Sequence, residues 1–255
     1  MNGPGRSIFS RTLLLLFLGL LPVVARAQVT VVLAGTSSGG ISQALNSMGR
    51  TFTAAGSTMG PNPATYGLKA GDFIIISNDG GTDASFFDYT SFLNSGGHVI
   101  LVGGTNYQPY RDWVAGYFNT TDTANTWHTD PGKAWTNTAI GNAVTSGVPS
   151  TYTFDNISAT YHMLGFLATP NTLLYGQNAE TISIAAYRSY SNGGSLNYMA
   201  LDIGNGSYVT TMDLNGFVVP WLRAALAIPE PSTYALFGNG LAVLGLRAWR
   251  RRSTR

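Results

Sequence analysis

The sequence predicts an α/β fold in three layers, with helices on both faces of a mostly parallel sheet. Uncharged runs rich in β-branched or aliphatic residues at 29–34, 73–76 and 99–102 are typical of strands buried on both faces. Segments with apolar residues at helical spacing lie between these runs, and glycines mark most of the junctions. Such alternation along a chain favours parallel strands joined by crossover helices.

The elements predicted in the first hundred residues alternate between strand and helix. A glycine-rich turn separates the first strand from the first helix, and Gly49 ends that helix. In order, the predicted elements are a strand at 29–34, a helix at 41–48, strands at 51–55 and 72–77, a helix at 86–93 and a strand at 98–102.

The second half of the chain has weaker patterns. Residues 181–188 and 196–203 flank a Ser-Asn-Gly-Gly-Ser turn and predict a C-terminal β-hairpin, with a further strand at 172–175. A closing helix is predicted at 217–227, with Pro220 near its first turn, where proline is tolerated.

Residues 1–27 predict a secretory signal peptide. A basic amino end without acidic residues precedes an apolar run at 13–24, and Ala25 and Ala27 form the pattern that signal peptidase recognises. We expect export by the Sec machinery and cleavage before Gln28. An apolar core of 12 residues is short for a membrane anchor.

Residues 229–255 combine a proline-rich turn, an apolar segment and a basic cluster. Residues 231–246 carry no charge, and a helix over them rises roughly 24 Å. With snorkelling arginines this predicts a C-terminal transmembrane helix. The residues in order are Pro229, Glu230, Pro231 and Ser232, then the apolar span, then Arg247, Arg250, Arg251 and Arg252.

This order resembles the PEP-CTERM sorting signal of exosortase substrates in Gram-negative bacteria. The resemblance implies an inner-membrane-anchored precursor, exosortase as a partner, and processing near residues 229–231. An ordinary C-terminal membrane anchor is the alternative interpretation.

Charge and cysteine content exclude several functions. Residues 28–228, the predicted exported domain, contain 6 basic and 11 acidic side chains, so the net charge of +2 comes from the two ends of the chain. The basic pI is therefore no indication of nucleic-acid binding. The chain has no cysteine, which excludes disulfide scaffolds, thiolate zinc sites and cysteine nucleophiles.

The body of the chain resembles a second family. The strand–loop–helix pattern at 72–97, the Val-Gly-Gly-Thr turn at 102–105 and the segments at 113–118 and 142–154 look like the ThuA-like branch of the class I glutamine amidotransferase-like fold. The resemblance implies a flavodoxin-like architecture. Amidotransferases of this fold carry a cysteine in the turn after a central strand, which this chain lacks, so the resemblance does not extend to that activity.

One turn matches a nucleophile motif. Residues 35–39 fit Gly-x-Ser-x-Gly between a strand and a helix, so Ser37 is a candidate nucleophile, with His128 or His162 as base and Asp155 or Asp202 as orienting acid. A chance match is the simpler interpretation. The equivalent turn of hydrolases follows a mid-sheet strand, and no His-Gly-Gly-Gly oxyanion loop precedes this one.

Two further patterns concern ligands. Asp79 and Asp83 flank a glycine loop after a predicted strand and are weak candidates for calcium, although the calcium-loop pattern is incomplete. No cofactor or metal is predicted. An aromatic stretch among amides and carboxylates is typical of sugar-binding surfaces. Its candidate glycan-binding residues are Tyr107, Tyr110, Trp113, Trp127 and Trp135. The alternative is a loop that packs its aromatic rings onto the sheet.

Together these patterns predict an exported, exosortase-sorted protein of the cell envelope or extracellular matrix. The domain is expected to be non-catalytic and associated with polysaccharide. A secreted serine hydrolase that uses Ser37 is the alternative.

Overall fold

The structure is a computed structural model that describes most of the body of the chain. The backbone alone is described at 134–136, 151, 172–176 and 182–184. The described residues are 29–58, 60–78, 86–103, 108–120, 134–136, 148–149, 151–155, 172–176 and 182–226.

A nine-stranded sheet organises these residues, in the order β2-β1-β3-β4-β9-β8-β7-β5-β6. The five strands from β2 to β9 are parallel, and each later strand is antiparallel to its neighbour. The strands are β1 Val31–Ala34, β2 Thr53–Ala54, β3 Phe73–Ser77, β4 His98–Val102, β5 Ala134–Thr136, β6 Thr151–Thr153, β7 Thr172–Gly176, β8 Ile182–Ser189 and β9 Ser195–Met199.

The helices among the described residues are mostly short. They are α1 Gly39–Ser47, α2 Thr90–Asn94, α3 Gln108–Tyr117, α4 Thr211–Asp213 and α5 Val219–Leu226, with 3₁₀ turns at Pro63–Tyr66 and Ser191–Gly193 and a π-helical segment at Leu214–Val218.

Helices cover both faces of the parallel half. Successive side chains of a strand point to opposite faces, so Phe73 and Ile75 pack with α1 and α5, whereas Ile74 and Ile76 pack with α2 and α3. All five residues of β3 are buried, as are all five of β4. The mixed α/β class with three layers is therefore as predicted.

The predicted parallel arrangement is present in five of the nine strands, and the other four strands are antiparallel to their neighbours. The predicted hairpin is present: β8 pairs with β9 in antiparallel register, and the N–H of Tyr190 donates to the carbonyl of Gly194 at 2.8 Å. Its second strand, β9, also pairs in parallel with β4. A tight hairpin reverses the chain, so β8 is antiparallel to β9. The strands beyond it, β7, β5 and β6, are also each antiparallel to their neighbours.

Several element boundaries differ from the sequence prediction. The strand expected at 51–55 is reduced to two exposed residues at the sheet edge. The strand expected at 196–203 is Ser195–Met199. The helix expected at 86–93 begins only at Thr90, and Phe86 and Phe87, which precede it, pack partly buried against the core. The closing helix begins at Val219, after a π-helical segment. Pro220 lacks the N–H that would bind the carbonyl of Gly216 in a regular helix.

Substituting Gly103 by alanine is expected to destabilise the fold strongly. Gly103 follows β4 with φ of +86°, and a Cβ there would lie 2.0 Å from the carbonyl oxygen of Asn78. Gly49 is a matched control, since its φ is +66° but nothing lies within 4 Å of an added Cβ. Urea unfolding should show a loss of roughly 2–4 kcal/mol for Gly103→Ala and about 1 kcal/mol for Gly49→Ala. Equal losses would contradict the close contact.

Candidate functional site

The carboxyl ends of β1, β3, β4 and β9 meet at one edge of the sheet. In open α/β sheets ligands bind in the crevice outside this edge, so it is the first place to look for a site. Two hydrogen bonds tie its turns together. The Thr36 hydroxyl donates to Asn78 Oδ1 at 2.9 Å, and the Ser37 N–H donates to the Ser77 carbonyl at 3.3 Å.

Part of this edge is tightly packed. Ser77 is fully buried and Asn78 is 1% exposed. Gly204, in the segment after β9, contacts Ser77 and Ser37, because an added Cβ would lie 2.1 Å from Ser77 Oγ and 2.4 Å from the carbonyl oxygen of Ser37. Its own carbonyl accepts the Gly40 N–H at 2.8 Å. Among the described residues of this edge, Thr36 and Gly39 are exposed and Ser37 is half-buried, so the described surface that a ligand could reach is the turn between β1 and α1.

Shallow grooves lie elsewhere, around the amino end of β1. One is lined by residues 29–31 and 51–53, and a second by Asn46, Gly49, Arg50, Thr51 and Phe52. Neither has a histidine or a carboxylate in its lining, so neither has the groups of a general acid–base site.

Ser37 has no described histidine partner. It is half-buried at the turn between β1 and α1. The described histidine, His98, begins β4 and therefore lies at the opposite edge of the sheet, roughly 13 Å away along the strand. There its ring stacks on Phe73, with centroids 4.4 Å apart, and its Nδ1 lies 2.9 Å from Ser195 Oγ. His98 is therefore part of the core.

The two candidate acids are separated from each other. Asp202 follows β9 and is 1% exposed, at the same edge as Ser37. Asp155 follows β6 and is exposed, and its N–H donates to Asp213 Oδ1 at 3.0 Å. Among the residues that the structure describes, Ser37 thus has a buried carboxylate at its edge of the sheet and no base.

Several candidates lie outside the described residues. These are Asp79, Asp83, Tyr107, Trp127, His128 and His162, together with the signal peptide and the sorting segment. Trp135 lies in β5, where only the backbone is described. Within the described ranges no group of three or more His, Asp or Glu residues is placed to hold a metal ion.

Tyr110 and Trp113 lie on α3, where they face the sheet rather than forming an open sugar platform. Tyr110 is fully buried, which removes it from the glycan-binding candidates. Trp113 is half-buried, stacks on Phe86 with centroids 5.0 Å apart, and donates its indole N–H to the carbonyl of Phe87 at 3.2 Å. The packing alternative therefore describes Tyr110, whereas Trp113 is only partly covered and stays a glycan-binding candidate.

A buried carboxylate that the sequence analysis did not single out lies at Asp213. It is fully buried and accepts a hydrogen bond from the Tyr152 hydroxyl at 3.3 Å. Burial, and then the charge of Asp213, raises the pKa of Tyr152 to about 12. Thr210 Oγ1 caps the helix by accepting the Asp213 N–H at 3.2 Å. The Thr-x-x-Asp capping pattern before an apolar run is the signal that predicts this helix start.

The C-terminal segment matches a known sorting motif. The family model for the PEP-CTERM protein-sorting motif matches residues 227–252. The chain carries a PEP-CTERM motif. This motif indicates an exported protein that exosortase sorts and that is anchored in the membrane before sorting. The predicted transmembrane helix falls outside the described residues, and none of the described helices is long and apolar enough to cross a membrane.

Solved structures similar to this chain include ThuA-like proteins. One from Bacteroides uniformis is 12% identical, with a TM-score of 0.50 over 80% of this chain and 94% of that one. Another from Parabacteroides merdae is 12% identical, with a TM-score of 0.47 over 78% and 88%. An exo-β-1,4-mannosidase from an Opitutaceae bacterium is 11% identical, with a TM-score of 0.46 over 87% of this chain and 38% of that protein. No curated protein sequence matches. At 12% identity, the similarity to the Bacteroides uniformis protein shows a ThuA-like fold and nothing about function.

Two buried serines should respond in opposite ways to substitution by alanine. Ser77 and Ser195 are both fully buried at strand ends, but Ser77 Oγ has no hydrogen-bond partner among the residues that the structure describes, whereas Ser195 Oγ is hydrogen-bonded to His98. Removing an unsatisfied hydroxyl is nearly neutral or stabilising, whereas breaking a buried hydrogen bond costs about 1–3 kcal/mol. Urea unfolding should therefore show a loss for Ser195→Ala only. A comparable loss for Ser77→Ala would mean that this hydroxyl has a partner.

Proposed function

We propose that this chain is a non-catalytic protein of the cell envelope or extracellular matrix, released from its membrane-anchored precursor by exosortase and associated with extracellular polysaccharide. The PEP-CTERM motif at 227–252 is the observation that carries the sorting part of this proposal. The motif begins one residue after α5 ends at Leu226, so the folded domain is attached directly to its sorting signal.

The described residues of the carboxyl edge support the non-catalytic part. Enzymes of open α/β folds place their reacting groups in the crevice at this edge. Here the described histidine, His98, belongs to the opposite edge, and Ser77 and Asn78 are buried beneath the turn that carries Ser37. A Cys nucleophile is excluded by the sequence.

The aromatic stretch supports polysaccharide association. Trp113 keeps part of its ring surface accessible at the start of this stretch, and Tyr107, Trp127 and Trp135 belong to the same region of the sequence. Indole faces stack on sugar rings, and the asparagines and threonines between them offer hydrogen bonds to hydroxyl groups.

Glu230→Ala is expected to block processing of the precursor, because Glu230 is the acid of the Pro-Glu-Pro tripeptide in the matched motif. Intact-mass analysis of exported protein should show a tail-free species for the wild type in cells with exosortase. The uncleaved precursor should accumulate for the variant, and for the wild type in cells without the enzyme. Asp88→Asn, which removes an exposed carboxylate far from the tail in sequence, is the control that should be processed normally. Equal masses with and without exosortase would contradict the proposal.

Trp113→Ala combined with Trp127→Ala is expected to weaken retention on the polysaccharide of the producing cells at least about tenfold, as loss of stacking surfaces does. Because Trp113 also packs on Phe86, its substitution lowers stability, so the fraction of folded protein must be measured in parallel. Trp113→Phe with Trp127→Phe keeps both aromatic faces and is the matched control. Undiminished binding by folded double-alanine protein would remove the polysaccharide from the proposal.

The serine hydrolase is the second candidate, and the half-exposed Ser37 at the carboxyl edge is the observation in its favour. Ester and glycan substrates, tested with the wild type and with Ser37→Ala, separate the two functions. We expect no turnover that depends on this hydroxyl. Turnover that Ser37→Ala abolishes would establish the hydrolase.

A further inference from the structure

The first clue to how the precursor is oriented is the place where the chain enters the fold. β1 begins at Val31, three residues after Gln28, the expected first residue of the exported protein. The start of a strand lies at the amino edge of a parallel sheet. The exported chain therefore begins at the edge opposite Ser37.

The chain leaves the fold at the same edge. β6 points in the direction of the parallel strands, so Asp155, just after β6, lies at the carboxyl edge. Its N–H donates to Asp213. The helical run that ends the domain therefore starts at this edge. From there α5 packs across the sheet against α1. The run from Thr211 to Leu226 rises roughly 24 Å, more than the roughly 16 Å length of a five-residue strand, so Leu226, which is buried on the α1 face of the sheet, lies toward the amino edge.

Very little chain separates this edge from the membrane signal. Three peptide units join Leu226 to Pro229, and they span at most about 11 Å even when fully extended. The apolar segment at 231–246 follows directly. While the precursor is anchored, the amino edge of the sheet is therefore held close to the bilayer surface.

The charges at this edge suit an anionic surface. Arg50 follows α1, Lys69 precedes β3 and Arg223 lies in the last turn of α5, and all three are exposed. The nearby carboxylate of Asp72 is 3% exposed and accepts the N–H groups of Thr30 and Lys69, at 2.8 and 2.9 Å, so its charge is turned inward. Basic side chains near a membrane are attracted to anionic headgroups.

We infer that the amino edge of the sheet is the membrane-facing surface of the anchored precursor, with Arg50, Lys69 and Arg223 against anionic lipid headgroups. The carboxyl edge then points away from the membrane. The inference rests on the sorting part of the proposed function, since it requires the anchored precursor, and it adds which surface of the domain meets the bilayer.

Single-cysteine labelling tests this orientation, since the natural chain has no cysteine to remove. Ser47 is exposed at the end of α1, and Ser207 is exposed in the segment that covers the start of α1, so Ser47→Cys and Ser207→Cys are a matched pair at opposite edges. Each variant of the precursor, from cells that lack exosortase, is labelled with a fluorophore and reconstituted into vesicles of phosphatidylethanolamine and phosphatidylglycerol. Nitroxide-headgroup lipids in the vesicles then quench labels near the surface.

Quenching should be at least about twofold stronger at position 47, because α1 separates the two labels by roughly 12 Å. Substituting Arg50, Lys69 and Arg223 together by glutamine should reduce this difference, as should 1 M salt, where the screening length falls to about 3 Å. Arg111→Gln, on the opposite face of the sheet, is the control that should leave it unchanged.

The experiment distinguishes an error in the proposed orientation from an error in the proposed membrane anchoring. Equal quenching at the two positions, or stronger quenching at 207, contradicts the orientation and leaves exosortase sorting intact. Failure of the full precursor to float with the vesicles contradicts the anchoring itself, and with it the sorting part of the proposed function.

Discussion

The burial of both faces of β1, β3, β4 and β9 is the constraint on which the rest of the structure depends. Strands covered on both sides are mostly apolar at their interior positions, with the buried Asn197 of β9 as the exception, and the in-register pairing of Val31, Phe73, His98 and Ser195 aligns their ends at two common edges. Most of the buried polar side chains therefore lie at strand ends. Ser77 and the candidate residue Ser37 lie at the carboxyl edge, whereas His98 and Ser195 lie at the amino edge.

The two edges are used differently. At the carboxyl edge the turns pack against each other, with Gly204 against the Ser77 side chain and the carbonyl of Ser37. At the amino edge the buried pair His98–Ser195 closes the core, and the basic side chains of Arg50, Lys69 and Arg223 are exposed.

The helical run at the end of the domain connects the folded core to the sorting motif. Asp213 is held by Tyr152 and the Asp155 N–H, and this network fixes the start of the run on the antiparallel half of the sheet. The end of the run is buried at Leu226, immediately before the PEP-CTERM motif. Because the linker is so short, the position of one helix in the core determines which surface of the domain meets the membrane.

The sequence by itself determined the features that depend on local pattern. Uninterrupted apolar runs predicted β1, β3 and β4, the Asn-Gly-Gly turn predicted the β8–β9 hairpin, and the order of tripeptide, apolar span and arginines predicted the sorting motif. Only the tertiary structure decided the features that depend on distant partners. The antiparallel half follows from β9 pairing with β4 as well as β8, the rings of Tyr110 and Trp113 turn inward because the sheet offers them an apolar face, and Asp213 is buried because Tyr152 reaches it from a distant strand. A periodic apolar pattern indicates which residues will be buried, but it does not indicate which surface of the protein will cover them.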